Sequence, residues 1–227
     1  MCFSASASFG AGAVLSVIGV ASLKQVKTPS EIPFASIPLI FAVQQITEGL
    51  LWLSFADSGN ASLQMVTSYV FLFIAQVIWP FWVPFSVFKI EPNVNRKKIL
   101  GILVGLGSVV SLYLLFCLFN YTIEANIDGY HIAYMQDYPA ALSKYGGMLY
   151  VIATIVPPLY CSLKRMSYLG LSILVSYVIS TVFYQGYVVS VWCFFAAIIS
   201  ILVYAVMVAV KGAHEDILPR TVFTTRK

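Results

Sequence analysis

From Met166 to Val210 the chain carries no Asp, Glu, Lys, Arg or His. An α-helix crosses about 30 Å of hydrocarbon in roughly 20 residues, so this run is too long for one span and must turn back on itself. Tyr184-Gln185-Gly186-Tyr187 is the natural break. Glycine permits the reversal, and tyrosines suit the membrane–water interface.

The same criterion, applied along the chain, predicts seven spans. They run from about Ser8 to Leu23, Ile32 to Phe55, Val66 to Phe88, Ile99 to Phe119, Tyr145 to Leu163, Tyr168 to Tyr184 and Tyr187 to Val210. Composition agrees: 60% of residues are hydrophobic and 10% are charged, where a soluble domain carries about 25% charged residues. The expected fold class is an all-α membrane protein, a seven-helix transmembrane domain over residues 1–211 followed by a polar cytoplasmic tail, 212–227. The first apolar segment has no basic region ahead of it and no clear cleavage site, so it reads as a retained helix.

Orientation follows from the lysines and arginines. With the N-terminus outside and the C-terminus cytoplasmic, Lys24, Lys27, Lys89, Arg96, Lys97, Lys98, Lys164, Arg165, Lys211, Arg220, Arg226 and Lys227 fall inside, and Lys144 alone falls outside. This asymmetry accounts for the net charge of +4 without a nucleic-acid partner, and it leaves membrane lipid as the expected surroundings. Two N-glycosylation sequons, at Asn60 and Asn120, fall in outer loops.

Most connections are short, but residues 120–143 are not. Tyr121, Ile123 and Ala125 alternate with polar residues, as do Tyr130, Ile132 and Tyr134, and Asn126-Ile127-Asp128-Gly129 between them has turn chemistry. An outer β-hairpin between helices four and five, lying over the bundle as a cap or lid, is expected. Helix four carries Gly101 and Gly105 at a spacing that permits close backbone approach, either within the bundle or in a homodimer. Helix one, rich in Gly10, Gly12, Ala13 and Ser16, is expected in a crowded position.

Polar groups inside a membrane are costly and mark sites. Glu48 is the charged residue within a span, and Gln45, Glu48 and Trp52 share one helical stripe, with Gln44 beside it. Counting residues from the outer ends puts Cys193, Tyr113 and Tyr177 at the depth of Glu48, and Gln76 deeper, level with Gln45. Pro80 and Pro84 in helix three and Pro157 and Pro158 in helix five kink their helices, either as static features or as hinges. Trp52, Trp79, Trp82 and Trp192 either wall a cavity or fill the bundle.

Cys2, Cys117, Cys193 and His131 fall on the outer side with Glu48, whereas Cys161 and His214 fall on the inner side. A disulfide from Cys2 to Cys193 or Cys117, a thiol nucleophile assisted by His131 or Glu48, and plain apolar packing all fit that layer. No CxxC or HxxxH spacing supports a metal site, and the cofactor is unknown. Buried Glu48 serves either as a protonated tie between helices or as an anchor for a ligand, ion or proton.

Known seven-helix families help by exclusion. Helix seven lacks a lysine for a retinal Schiff base, no span holds the histidines of ceramidase-type hydrolases, and the Pro-Gln motif of SWEET-type carriers is missing. The stretches MCFSASASF, QQITEGLLW, WPFWVP with Glu91 and Arg96 after it, HIAY and SVWCFFAA resemble an uncharacterised, mainly bacterial family of membrane proteins that begin Met-Cys-Phe-Ser-Ala. That resemblance implies no activity; it groups Cys2, Gln45, Glu48, Trp52, Trp79, His131, Trp192 and Cys193 as one constellation, in a bacterial inner membrane.

The expected function is to bind or transport a small or lipidic molecule in a pocket open to the outer leaflet. Its expected lining is Gln45, Glu48, Trp52, Gln76, Trp79, His131, Tyr177, Trp192 and Cys193. The alternatives are a membrane-embedded enzyme acting through Cys2, Cys193, His131 and Glu48, and a non-catalytic assembly subunit contacting its partner through helix four.

Overall fold

The structure, a computed structural model, describes residues 4–56 and 60–217. Among these the chain begins with α1 (Ala5–Leu23), a 3₁₀ turn (Pro29–Glu31), α2 (Ile32–Ala35) and α3 (Ile37–Ala56). It continues through α4 (Ala61–Leu72), a π-helical turn (Phe73–Ile78), α5 (Trp79–Ile90) and α6 (Val94–Asn120). After the strands β1 (Ile123–Asp128) and β2 (His131–Gln136) come α7 (Ala140–Tyr160), α8 (Lys164–Phe183), a 3₁₀ turn (Gln185–Tyr187) and α9 (Val188–Ile217).

Six helical stretches are long and apolar enough to cross a membrane: Ala5–Leu23, Pro29–Phe55, Ala61–Ile90, Val94–Asn120, Arg165–Phe183 and Gln185–Gly212. The chain is therefore a helical membrane protein. The expected fifth span appears as α7, whose apolar part, Gly146–Tyr160, is shorter. The last helix continues beyond Val210 to Ile217, into residues expected to form a tail.

The stretches Pro29–Phe55 and Ala61–Ile90 form the centre of the bundle, 67% and 61% buried against 28% for Ala5–Leu23. Helix α1 is thus mostly exposed, yet its small residues let it press closely on α3, as expected: a methyl group on Gly12 would lie 2.7 Å from Ile46 and one on Gly19 2.5 Å from Leu39. One stripe of it, Ser8, Gly12, Leu15, Gly19 and Ser22, is buried, and it packs on α3.

Inside hydrocarbon every backbone polar group needs a partner within the protein, and this explains the irregular parts of the two central stretches. Pro38 cannot donate an N–H, and the helix breaks at Ser36. The Pro33 carbonyl at that break accepts from Ser36 Oγ (2.9 Å) and from Trp82 Nε1 (3.0 Å). Pro80 has the same defect at the end of the π-helical turn. The Ala75 carbonyl, five residues earlier, accepts from Tyr150 Oη (2.5 Å), and the Val77 carbonyl accepts from Ser111 Oγ (2.7 Å). Donors on α6 and α7 thus serve carbonyls in the π-helical turn.

The hairpin has a two-residue turn, because Asp128 pairs with His131. The expected turn at Asn126–Gly129 is shifted: Asn126 and Ile127 belong to β1, and the turn is Gly129-Tyr130, where Gly129 takes φ 60°. Glycine alone adopts that conformation without strain. Ala125 and Ile132 are buried against Leu51, with Trp52, Phe55 and Tyr134 packed around them.

At the opposite end of the helices Glu91 joins two connections. Its carboxylate accepts from Asn93 N (2.8 Å), Ser162 N (2.7 Å) and Ser162 Oγ (2.5 Å). Burial alone would raise its pKa, but these bonds and the Cys161 thiol outweigh burial and hold it below the ordinary carboxyl value. Arg96 Nη1 donates to the Tyr160 carbonyl (2.9 Å) beside it.

On α6 the glycine that brings two helices together within the bundle is Gly107, not Gly101 or Gly105. A methyl group on Gly107 would lie 1.9 Å from the Pro80 carbonyl oxygen, whereas Gly105 has open space and Gly101 meets only Phe88, at 3.7 Å. Replacing Gly107 with Ala should therefore cost at least ~2 kcal/mol or prevent folding, because backbone must move. Gly105→Ala should stay within about 0.5 kcal/mol of the parent. Thermal unfolding of the two variants in detergent checks this, and equal midpoints would contradict the close approach.

Candidate functional site

Two neighbouring features lie between the central helices: a buried polar lattice and, beside it, a cavity. The lattice begins from spacing. Gln44 and Glu48 are four residues apart on α3, and Ser190 and Cys193 are three apart on α9, so each pair faces one way. Glu48 Oε1 accepts from Ser190 Oγ (2.8 Å), while Gln44 Nε2 donates to Cys193 Sγ (3.0 Å). Trp79 Nε1 on α5 closes the set by donating to Gln44 Oε1 (2.9 Å), and its ring stacks on Phe41 with centroids 3.9 Å apart. Gln45 Nε2 reaches Glu48 Oε2 at a long 3.4 Å.

Gln44, Gln45 and Glu48 have no solvent exposure. Buried polar groups in such a setting lock helices when bonded and cost ~1–3 kcal/mol each when left unbonded. The lattice therefore fixes the mutual register of α3, α5 and α9.

The cavity, about 350 Å³, opens beside this lattice. Its walls come from the π-helical turn (Ala75, Gln76), α6 (Tyr113, Leu114), the end of the hairpin (Gln136, Tyr138), α7 (Gly146, Gly147, Tyr150, Val151), α8 (Tyr177) and α9 (Val188, Val189, Trp192, Cys193). A smaller, almost wholly apolar cavity of about 60 Å³ shares Tyr150, Trp192 and Cys193 with it. The Trp192 ring stands edge-on to Tyr150 (5.6 Å) and Tyr177 (5.0 Å), forming part of the boundary between the two spaces.

A directional chain of hydrogen bonds runs along the hairpin side of the larger cavity. Tyr138 Oη donates to Gln76 Oε1 (3.2 Å), and Gln76 Nε2 donates to Gln136 Oε1 (2.9 Å). The amide nitrogen of Gln136 is buried and has no hydrogen-bond partner in the structure, as is the indole nitrogen of Trp192. Since Gln76 meets residues of β2 and the segment after it, the hairpin is more than a lid resting on top. Its second strand reaches into the bundle.

The other end of the hairpin is clasped to the α8–α9 turn. Tyr187 Oη donates to Asp128 Oδ2. His131 stacks on Tyr187 (4.7 Å) and meets Tyr184 edge-on (5.6 Å). Burial lowers the His131 pKa, a shift that Asp128 partly opposes. Tyr134 stacks on Phe71 at 4.9 Å, and Gln64 Nε2 donates to the Ala125 carbonyl (2.9 Å).

The expected site residues thus separate into three places. Gln76, Tyr177, Trp192 and Cys193 line the larger cavity. Glu48 and Gln45 lie in the polar lattice and outside both cavity linings, while Trp79 belongs to the lattice and lines the smaller cavity. Trp52 packs beneath the hairpin, and His131 is at its clasp. Cys117, Cys161 and Cys193 are buried free thiols, and Cys2 lies outside the described residues, so the expected Cys2 pairings do too.

Gln44 and Ser190 are central to the lattice, yet only their spacing against Glu48 and Cys193 could have signalled this. Gln136 continues the alternation Tyr130, Ile132, Tyr134 by one more step, which is the signal for its inward position. Nothing local marks Tyr150.

With this arrangement in view, comparison with known proteins gives one match, to the model of a family of unknown function (DUF6629) over residues 1–216. The chain belongs to that family. No curated protein and no solved structure matches it. Family membership covers the lattice, the cavity and the hairpin alike, and assigns a role to none of them.

The lowered His131 pKa fixes the sign of a pH effect. Docking of the hairpin is stable above the ordinary imidazole value of about 6.5 and weakens as pH falls through it, because the clasped ring resists protonation while a released ring does not. Protection of the β2 amides, taken as the observed exchange rate against the intrinsic rate at each pH, should fall between pH 7.5 and 5.5, on the order of the imidazole titration range, and His131→Phe should remove that dependence. A flat profile in the parent protein would contradict the clasp.

Proposed function

We propose that this chain spans the bacterial cytoplasmic membrane seven times, with its N-terminus and hairpin outside, and holds a small or lipidic molecule in the cavity beside the hairpin. The seventh crossing in this reading is α7, whose 21 residues have the length a span needs. The charge asymmetry of the connections supports the orientation, and the likeness to mainly bacterial proteins supports the compartment.

One observation carries the binding reading: the cavity of about 350 Å³ at the meeting point of five elements and the hairpin. It is within the size range of small-molecule sites, it is walled by aromatic and aliphatic side chains, and a few polar groups converge on it. Close-packed interiors leave few voids larger than a water molecule, so a partly open space of this size amid otherwise packed helices offers room for an occupant. Glu48 and the lattice act here as scaffold, holding α9 and thereby Trp192 and Cys193 in the wall. The proposed ligand residues are therefore Gln76, Tyr113, Gln136, Tyr138, Tyr177 and Trp192.

Gly147 offers a direct test, because it lines the cavity and a Cβ added there meets nothing within 4 Å. Gly147→Trp should fill the space without displacing a helix. In native mass spectrometry of protein taken from membranes in mild detergent, the parent should carry an extra non-protein mass and the Gly147→Trp protein should lack it. An identical bound mass in both, or none in the parent, would overturn the reading.

A further inference from the structure

We infer that the occupant of the larger cavity is an uncharged amphiphile whose polar end presents a hydrogen-bond-accepting oxygen, such as a ketone or ester carbonyl, to Gln136. This rests on the binding reading above and adds the chemistry of the ligand.

Charge is decided by the lining. Among the described residues that form the cavity there is no Asp, Glu, Lys, Arg or His. An ion placed there would give up its hydration with no counter-charge in return, which the low-dielectric interior makes prohibitive. A neutral molecule meets no such barrier.

The polarity of the oxygen is decided by a count of donors and acceptors. In the chain Tyr138 to Gln76 to Gln136 each amide oxygen already accepts one bond. What remains over at its end is the amide nitrogen of Gln136, with two hydrogens and no partner. The indole N–H of Trp192, another residue of the lining, is likewise unpartnered, and it can only donate. The Tyr113 hydroxyl, also buried and unpartnered in the lining, can donate or accept; the unused capacity is therefore mainly donor capacity, and its best complement is an acceptor.

The apolar end is decided by what lies past Trp192. The smaller cavity beyond it is lined by Phe34, Ile37, Phe41, Val83, Val87 and further apolar side chains. A chain entering beside Trp192 would continue into that apolar space, while its carbonyl stayed at Gln136.

The test uses three ten-carbon probes that each carry a photoreactive diazirine and differ at one end: a methyl ester, a carboxylate and a trimethylammonium. Each is added to the full-length protein in lipid nanodiscs at pH 8 and irradiated, and the adduct is located by peptide mass spectrometry. The ester should label peptides containing residues 136–151 and 188–193 at least about tenfold more than either ion, a ratio equal to the loss of one good hydrogen bond or more. Gln136→Leu should reduce ester labelling by a similar factor. Gln136→Glu should reverse the preference toward the trimethylammonium probe, a result that mere loss of folding cannot produce.

Two other outcomes have separate meanings. Labelling by the carboxylate or the trimethylammonium equal to that by the ester, yet abolished by Gly147→Trp, would overturn the assigned chemistry and leave the cavity as a binding site. Labelling of these peptides by no probe, or labelling unaffected by Gly147→Trp, would overturn the inference and the binding reading together.

Discussion

The structure depends on one constraint, that a backbone carbonyl inside hydrocarbon must find a donor. Pro80 withholds one from the middle of the third long helical stretch, and the chain answers with a π-helical turn over Phe73–Ile78. Tyr150 and Ser111 then serve the carbonyls of Ala75 and Val77 from neighbouring helices. Widened turns of this kind recur at functional sites. Here the turn carries Gln76 to the end of the hairpin and Tyr150 to the wall of the cavity. The defect at Pro80 and the cavity therefore share a single origin, and Gly107 is needed because α6 must press against that same proline.

Around this irregular centre the polar lattice supplies rigidity. The bonds among Gln44, Glu48, Trp79, Ser190 and Cys193 tie three helices that would otherwise associate by dispersion alone, since hydrocarbon surroundings remove the hydrophobic driving force between spans. The intramembrane carboxyl thus has a structural explanation. A deeply buried carboxyl that meets a serine hydroxyl and a glutamine amide specifies helix register, and in the function proposed above the ligand meets neutral amides and aromatic hydroxyls instead.

Much of this was legible in the sequence, for physical reasons. Charge-free runs fix the apolar helices because the bilayer has a set thickness, and alternation marked the hairpin because strand side chains alternate. Depth counting brought Glu48 and Cys193 into one layer, where α3 and α9 do meet. The turn of the hairpin was misplaced by two residues, because Asn126 and Asp128 carry turn chemistry while the register is set by which residues bury, here Ala125 and Ile132. The Gly101–Gly105 spacing does not mark the close approach within the bundle, which Gly107 makes instead, since spacing alone does not say which side faces Pro80. The stripe Gln45, Glu48 and Trp52 was read as one surface, although its members part company: Trp52 goes to the hairpin and Glu48 to Ser190. The roles of Gln136 and Tyr150 depend on contacts with residues 60 and 75 positions away in the chain, which no local pattern contains.

The central claim is that the π-helical turn, the hairpin and Trp192 together enclose space for a molecule. The most direct measurement is a cryo-electron microscopy map of the full-length protein extracted into lipid nanodiscs without detergent. The account predicts elongated non-protein density between Gln136 and Trp192, with the turn at Phe73–Ile78 open and Tyr150 against the Ala75 carbonyl. A regular α-helix through residues 73–78, with Gln76 turned away from Gln136 and protein side chains filling the space, would contradict it.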